Sequence, residues 1–286
     1  MSARVCAVVV DWNGATWTRA CLRALAQVRF DGTLDVVVVD NGSDDPSALA
    51  DVVAQPHVRV VRLPRNVGFG AGSNAGIRVG LEEGADWIWL LNNDAEPEPG
   101  ALHAMLVAGE ADATIGAVGC ILDETAPGGP RSIVHGGGAV SFASGLARHH
   151  EHAVPIERVD YLCAASMLVR RAALERAGVF DERFFLYWED VDLCFRLRAA
   201  GFRLAVADDA VVRHRAHASQ ALASEGWDRH FTRSSALFFR KHAAAGRPAA
   251  LPIAVGSLGR LVKRLAAGRI GNARAVWDGL RLGCAG

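Results

Sequence analysis

The sequence predicts an α/β fold on a mainly parallel, Rossmann-like sheet flanked by helices, and three observations predict it. Residues 5–10 and 87–91 are continuous apolar runs of strand length and 34–39 is one broken only by Asp35, the pattern of strands buried on both faces. Each run stops abruptly in polar residues: Asp11-Trp12-Asn13-Gly14, Asp40-Asn41-Gly42-Ser43 and Asn92-Asn93-Asp94. Segments of helical spacing separate the runs, which calls for right-handed βαβ crossovers. Strands pointing one way carry their polar ends to one carboxyl edge, where open α/β sheets bind ligands.

In chain order, residues 18–27 read as a helix with Trp17, Cys21, Leu22 and Leu25 on one face. A helix over 46–54 and a strand over 58–63 follow. Gly68-Phe69-Gly70-Ala71-Gly72 then opens a helix running to about Glu83. Such a loop can present N–H groups to phosphate, but it lacks Rossmann spacing and the Gly-Lys-Ser/Thr of a P-loop. Close helix packing explains its individual glycines equally well. Residues 123–159 are rich in Gly, Pro and His with little periodicity, and read as a mobile flap or a loop facing a second substrate. Within it, His149-His150-Glu151-His152 is too crowded for a spaced metal site and reads as a solvated tip. Residues 161–169 read as a strand, 171–177 as a short helix, and 203–206 and 211–214 as two short strands.

Composition narrows the function classes. At 286 residues the chain can bury a large core, and 51% hydrophobic with 22% charged residues is ordinary for a globular protein. Zero formal net charge removes any bulk attraction to nucleic acid. Six scattered cysteines without a CxxC pair predict buried thiols in a reducing cytosol, not a disulfide framework or a zinc site. The first apolar stretch is short and ends in Asp11, so it does not read as a signal peptide. No stretch reaches the roughly 18–20 apolar residues needed to span a bilayer. A cytoplasmic protein, either free or held peripherally at the inner face of the cell membrane, is expected.

Two stretches carry chemistry. Asn92, Asn93 and Asp94 offer hard oxygen ligands to a divalent cation, although a polar turn stopped by Pro97 and Pro99 explains them too. Around Phe184-Phe185-Leu186-Tyr187-Trp188-Glu189-Asp190-Val191-Asp192, aromatic residues hem in a carboxylate pair at a helix start. Helix capping accounts for one acid, and Asp192 can pair with a neighbouring Arg. The Glu189–Asp190 pair is better explained as a general-base site whose apolar setting raises its proton affinity. His214, alone at a strand end, says little.

Taken in order, these motifs resemble an inverting glycosyltransferase of family 2 with the GT-A fold, in its rhamnosyltransferase-like branch, over about residues 4–242. Val10-Asp11-Trp12-Asn13 is similar to the family's opening motif, which more often reads Thr-Tyr-Asn. Val39-Asp40-Asn41-Gly42-Ser43 resembles its nucleoside-binding turn, and Asn66 to Gly76 the Asn/Gly-rich segment that follows. Leu90-Leu91-Asn92-Asn93-Asp94 stands where the family has its DxD-type metal motif. Gly178 to Glu182 leading into Trp188 to Leu193 resembles the acceptor-side segment with the catalytic base, and Arg213-His214 its late metal-binding His.

The resemblance implies a transfer from a dTDP- or UDP-sugar to a hydroxyl of a glycan, polyprenyl-linked or small-molecule acceptor. A divalent metal, Mn²⁺ or Mg²⁺, would be held by Asp94 and His214 against the diphosphate. Asp40 would accept the N–H of uracil or thymine. Asp11, Arg65, Asn74 and Asn93 would make lesser donor contacts, and Asn92, replacing an acid of the motif, would meet ribose or water. Asp190 would be the base, with Trp188 and Glu189 positioning the acceptor. Ala164-Ala165 stands where the family often has Gly-Ala, which would narrow the space near the donor sugar. Two other classes compete: a nucleotidyltransferase and a sugar-nucleotide-binding protein without catalysis. The first lacks its expected Gly-rich basic signature after the first strand, and the intact Asp94, Asp190 and His214 disfavour the second.

Residues 1–242 are therefore expected to form the catalytic domain and 243–286 a basic helical tail. Arg247, Arg260, Lys263, Arg264, Arg269, Arg274 and Arg281 oppose the single acid Asp278 there, and Leu258, Leu261, Val262 and Leu265 make a helical stripe. Two readings stand level: a helix lying on an anionic membrane surface, or one packing on its own domain or across a homo-oligomer interface.

Overall fold

In the computed structural model, which describes residues 3–55, 57–125, 132–215, 224–243 and 249–285, the apolar runs become the centre of one sheet. Strands β1 (Ala3–Asp11), β2 (Gly32–Asp40), β3 (Val58–Arg62) and β4 (Trp87–Asn92) pair in parallel in the order β3-β2-β1-β4. Both faces of this half are covered, and residue parity decides which face a side chain meets. Cys6, Val8, Ile88 and Leu90 pack under helix α3 (Phe69–Glu82), whereas Val5, Ala7, Trp87, Trp89 and Leu91 pack toward α1 (Ala15–Leu25) and α4 (Ala101–Glu110). Hence the runs are apolar without alternation. Each fully buried aliphatic side chain there contributes about 1.5–3 kcal/mol. Helix α2 (Ala50–Val53) continues a 3₁₀ turn at Pro46–Leu49, together filling the crossover between β2 and β3.

Beyond β4 the sheet turns mixed. Strand β10 (Ser166–Arg170) runs antiparallel between β4 and β6 (Ile115–Asp123), followed by β11 (Arg203–His214) and β5 (Ala95–Pro97). Strand β7 (Ile133–Ser141) branches from β6 and pairs with β8 (Leu146–His150) and β9 (Tyr161–Leu162). The fold is α/β, as expected, with three local differences. The Gly/His-rich stretch 123–159 holds the β7–β8 hairpin, apart from residues 126–131, which lie outside the described residues. Gly136 lies against the Cys120 backbone and Gly138 against the Tyr161 ring, where no Cβ fits, so the strand carries no side-chain alternation to read. The strand expected over 161–169 is broken by a turn at 163–165 into β9 and β10. The two short strands expected over 203–214 are one, with a bulge between Ala207 and Val211.

Helices α5 (Arg171–Ala177) and α6 (Glu189–Ala199) close the second half, and α7 (Glu225–Lys241), α8 (Ala250–Ala266) and α9 (Ile270–Ala285) form a carboxy-terminal helical layer. Four cysteines are buried, Cys163 is half-buried and Cys284 exposed, all as free thiols. Among the described residues, no helix is long and apolar enough to cross a membrane.

The tail does pack on the rest of the chain. Asp228 of α7 is fully buried and takes Arg264 Nε at 2.9 Å and Asn272 Nδ2 at 2.7 Å, tying α8 and α9 to α7. Arg240 donates to the Gly283 carbonyl at 2.9 Å. Arg247 lies outside the described residues. Removing one partner of a buried, hydrogen-bonded ion pair strands the other. Asp228→Ala is therefore expected to cost roughly 3–5 kcal/mol in urea unfolding and to expose residues 250–285 to trypsin.

Candidate active site

The sheet register builds one wall of the site. Asp11 pairs across from Asp40, and Val10 from Asn92, so three polar strand ends lie level. The Asp11 carboxylate accepts from Thr18 Oγ1 at 2.5 Å, Asn93 Nδ2 at 3.1 Å and Ser43 Oγ at 3.3 Å. Asp40 is buried and accepts the Ser43 N–H at 2.9 Å and Arg62 Nε at 3.0 Å. Asn41, not singled out from the sequence, clips the next loop in place. Its amide donates to the Gly68 carbonyl and to Asn66 Oδ1, both at 3.1 Å, and accepts the Val67 N–H. Gly42 sits at φ +74 against the Arg65 backbone, where a Cβ would collide. Arg65 is exposed on the same rim.

A cleft of about 690 Å³ opens beside this wall, lined by Trp12, Asn41, Asn66 and Asn93 on the sheet side and by Tyr187 and Trp227 opposite. Asn74 does not reach it as a free donor. Its side chain is fully buried and gives both amide hydrogens to the Phe180 carbonyl and Glu182, while its oxygen accepts the Phe180 N–H. It ties α3 to the segment around Phe180 and Glu182.

At the far corner, Asp94 and His214 come together from β4–β5 and the end of β11. His214 Nε2 lies 3.3 Å from both Asp94 Oδ1 and Asn92 Nδ2, and Nδ1 lies 3.0 Å from Glu124 Oε1. Burial opposes a charge on this ring, but hydrogen bonds to Asp94 and Glu124 outweigh it and push its pKa up to about 9. Among the described residues no group of three or more His, Cys, Asp or Glu converges as a metal cage. The pair nevertheless fits a divalent ion with an otherwise open shell. Adjacent ligands of an octahedral ion with bonds of about 2.1 Å stand about 3 Å apart, close to the Asp94–His214 separation. A carboxylate on the remote ring nitrogen, as Glu124 provides, is the usual support for a ligating imidazole.

The carboxylate pair occupies a second cavity of about 210 Å³, lined by Asp190, Glu189, Tyr187, Tyr161, His149 and Phe231. Backbone strain sets it up. Tyr187 and Trp188 adopt φ of +66 and +67 in succession, left-handed values unusual for bulky residues. The Trp188 ring, buried against Phe231, Phe238 and Phe239, holds that shape, and Ser234 Oγ donates to the Leu186 carbonyl at 2.9 Å. Trp188, Tyr187 and Tyr161 all line the cavity. Helix α6 then starts with Glu189 and Asp190 side by side. Burial raises the proton affinity of both, and the Asp190 charge raises that of Glu189 further. Asp190 accepts the Ala164 N–H at 3.2 Å and the Val191 N–H at 2.8 Å, which favour its ionised form. Glu189 Oε2 is buried with no hydrogen-bond partner. Of the two, Glu189 therefore has the higher proton affinity and Asp190 the better-stabilised charge.

The turn at 163–165 connects the end of β4 to the Asp190 cavity. Ala164 donates to Asp190, and the Ala165 carbonyl accepts the Asn92 N–H at 3.0 Å. The Phe69 N–H likewise donates to the Phe185 carbonyl at 2.9 Å, joining the Gly-rich loop to the strained segment before α6.

The model of the family described as "Glycosyltransferase like family 2" matches residues 3–240. The chain belongs to this family. It is 32% identical over 211 residues to an N-acetylglucosaminyl-diphospho-decaprenol L-rhamnosyltransferase of Mycobacterium tuberculosis, covering 65% of this chain and 68% of that protein. It is 30% identical to a pre-mycofactocin glycosyltransferase of the same organism, covering 73% of this chain and 42% of that one. Among solved structures, GalNAc-T7 with UDP, GalNAc and Mn²⁺ superposes at a TM-score of 0.67 and 15% identity, over 84% of this chain and 48% of that one. The mannosyltransferase PcManGT from Pyrobaculum calidifontis, with GDP-Man and Mn²⁺, gives 0.60 at 20% identity, over 99% of this chain and 81% of that one. The chain is thus a family 2 glycosyltransferase with a GT-A fold, related to enzymes of polysaccharide and glycoconjugate biosynthesis.

The structure brings Asp11, Asp40, Asn92, Asn93, Asp94 and His214 to one edge and Glu189 and Asp190 to its neighbour. Glu124, His149 and Tyr161 were not picked out as site residues. Glu124 stands 90 positions before the histidine it holds, and His149, solvent-exposed as expected, also lines the cavity from strand β8. Only sheet pairing reveals either.

Glu189 binds its proton more tightly folded than unfolded, so it favours folding when protonated. That contribution declines as pH rises above the unfolded value of about 4.3. Glu189→Gln, which mimics the protonated acid, is expected to raise Tm at pH 8 more than at pH 5. Thermal melts across that range will check it, and an equal shift at both ends would contradict a raised Glu189 pKa.

Proposed function

We propose that this glycosyltransferase moves a sugar, rhamnose or one like it, from a dTDP- or UDP-sugar to a hydroxyl of a glycan or polyprenyl-linked acceptor with inversion. The observation that supports it is the short turn at 163–165, which hydrogen-bonds Asn92 on one side and Asp190 on the other. It sets a diphosphate-sized polar edge directly beside a desolvated base. The relative that acts on a diphospho-decaprenol substrate supports the lipid-linked acceptor.

In this reading the nucleotide lies along the ends of β1, β2 and β4. Asp40 accepts the base N–H, and Asp11, Arg65 and Asn93 line the way to the diphosphate. Asp94 and His214 would hold Mn²⁺ or Mg²⁺, which when bound neutralises charge on the departing diphosphate. Glu124 keeps His214 Nε2 turned toward Asp94. The acceptor hydroxyl sits in the Asp190 cavity, between Tyr187, Tyr161 and His149. Asp190 takes its proton as the oxygen attacks the anomeric carbon opposite the leaving group. Because Glu189 keeps its proton, one carboxylate acts and no second nucleophile is offered, which suits a single displacement with inversion.

Asp190→Asn is expected to lower transfer by about 10²–10⁴-fold while leaving dTDP or UDP affinity within a few-fold. Assay against a panel of dTDP- and UDP-sugars with calorimetry of the nucleotide reads both. Glu189→Gln should lose far less activity; if it lost as much as Asp190→Asn, the roles of the pair would be reversed. Separately, Asp94→Asn and His214→Ala should each abolish the gain in nucleotide affinity that Mn²⁺ gives the wild type. Full activity in excess EDTA would remove the metal from the mechanism.

A further inference from the structure

Helix α8 packs Pro252 and Ile253 inward at its start, but its second half is amphipathic in the reverse sense. A helix on a globular protein normally turns its apolar stripe inward and its charges outward. Here Arg260 and Arg264 face inward. Arg264 pairs with buried Asp228, and the Arg260 guanidinium lies 4.0 Å from the Phe231 ring centroid and 4.9 Å from that of Trp227. Facing outward at i, i+4, i+7, i+11 and i+14 are Leu251, Val255, Leu258, Val262 and Leu265, all exposed, with Leu258 at 60%. These five fall within about 80° of arc at 100° per residue, a single stripe along the helix. Of the sequence-derived stripe, only Leu261 is partly covered.

The outer side of α9 continues the pattern with different chemistry. Ile270, Arg274, Trp277 and Arg281 are exposed at i, i+4, i+7 and i+11, Ile270 at 70%. A large aromatic alternating with arginines suits the boundary between hydrocarbon and headgroups. Lys263 is the exposed charge beside the α8 stripe, and Asp278 is the one acid on the two helices, half-buried beside Arg229 and Arg281. The sign of the rim selects the occupant. A second copy docked about a two-fold axis would set Lys263, Arg274 and Arg281 against their own kind. An anionic bilayer takes the aliphatic stripe into its interface and places phosphates against the cations.

We propose that the outer surface of the α8–α9 hairpin is a docking face for an anionic lipid bilayer. It holds the enzyme peripherally, with the stripe of α8 immersed and Arg274, Trp277 and Arg281 at headgroup level. The face is coupled to the site through packing. The tip of the β7–β8 hairpin rests on the start of α8, where Gly145 meets the Pro252 carbonyl, and the same hairpin carries His149 into the Asp190 cavity. Helix α7, beneath α8, lends Trp227 and Phe231 to the two cavities. Docking thus brings the acceptor cavity to the membrane, whatever the donor sugar.

The test is flotation of the full chain with vesicles of phosphatidylcholine alone or mixed with phosphatidylglycerol. Binding to the mixed vesicles is expected, weakened about tenfold or more by Leu258→Glu with Val262→Glu, and likewise by Arg274→Glu with Arg281→Glu. These side chains are exposed, so unchanged Tm and Mn²⁺-dependent nucleotide affinity in the same samples certify the fold. Those controls also separate a failure here from a failure of the proposed reaction. Equal binding to both vesicle types, or to neither, overturns the proposal. So does a solution dimer in sedimentation velocity that Leu258→Glu with Val262→Glu dissociates.

Discussion

The site depends on the register of four parallel strands. With β1 paired to β2 and β4 so that Asp11 faces Asp40 and Val10 faces Asn92, three polar ends come level at one edge. A slip of one residue would turn every core side chain to the other face. The bulk of Trp87, Trp89 and Leu91 on one face and the close approach of Gly76 to Val8 on the other forbid that slip. The hydrogen bonds among Asp11, Thr18, Ser43 and Asn93 are a consequence of this alignment.

The second half of the site is paid for in backbone strain. Two consecutive left-handed residues, Tyr187 and Trp188, turn the chain so that Glu189 and Asp190 begin α6 facing a cavity. Such a conformation persists only when packing over-determines it, and the aromatic cluster of Phe231, Phe238 and Phe239 does so here. These rings lie on α7, which also carries Asp228 and hence the tail. One helix therefore stabilises the strained segment and anchors the basic tail. The two level readings of that tail resolve into two sides of the same helices: the inward side packs, and the outward side carries the apolar stripe.

The environments of the two neighbouring carboxyls differ, and the difference assigns their chemistry. Asp190 receives two backbone N–H groups, while Glu189 has an unpartnered buried oxygen next to a charge. Two adjacent acids whose surroundings push their proton affinities apart can hold one proton and one charge at neutral pH. His214 is poised differently, between two acids that favour its charged ring and at a distance from Asp94 that also suits a bridging ion.

By itself the sequence determined the α/β class, the three apolar strands, their polar ends and the family, because doubly buried parallel strands need uninterrupted apolar runs and the motifs keep their chain order. It also pointed to Asp94, Asp190 and His214 as residues worth testing. Only the tertiary structure decided what spacing along the chain cannot encode. It showed Glu124 behind His214, Asn74 spent on Phe180, the glycine-rich β7 as a strand, and the arginines of α8 turned inward. Each of these rests on contact between segments far apart in sequence. Periodicity shows that a helix has two faces; which one meets the protein was settled by the buried Asp228 carboxylate and the Trp227 and Phe231 rings of α7.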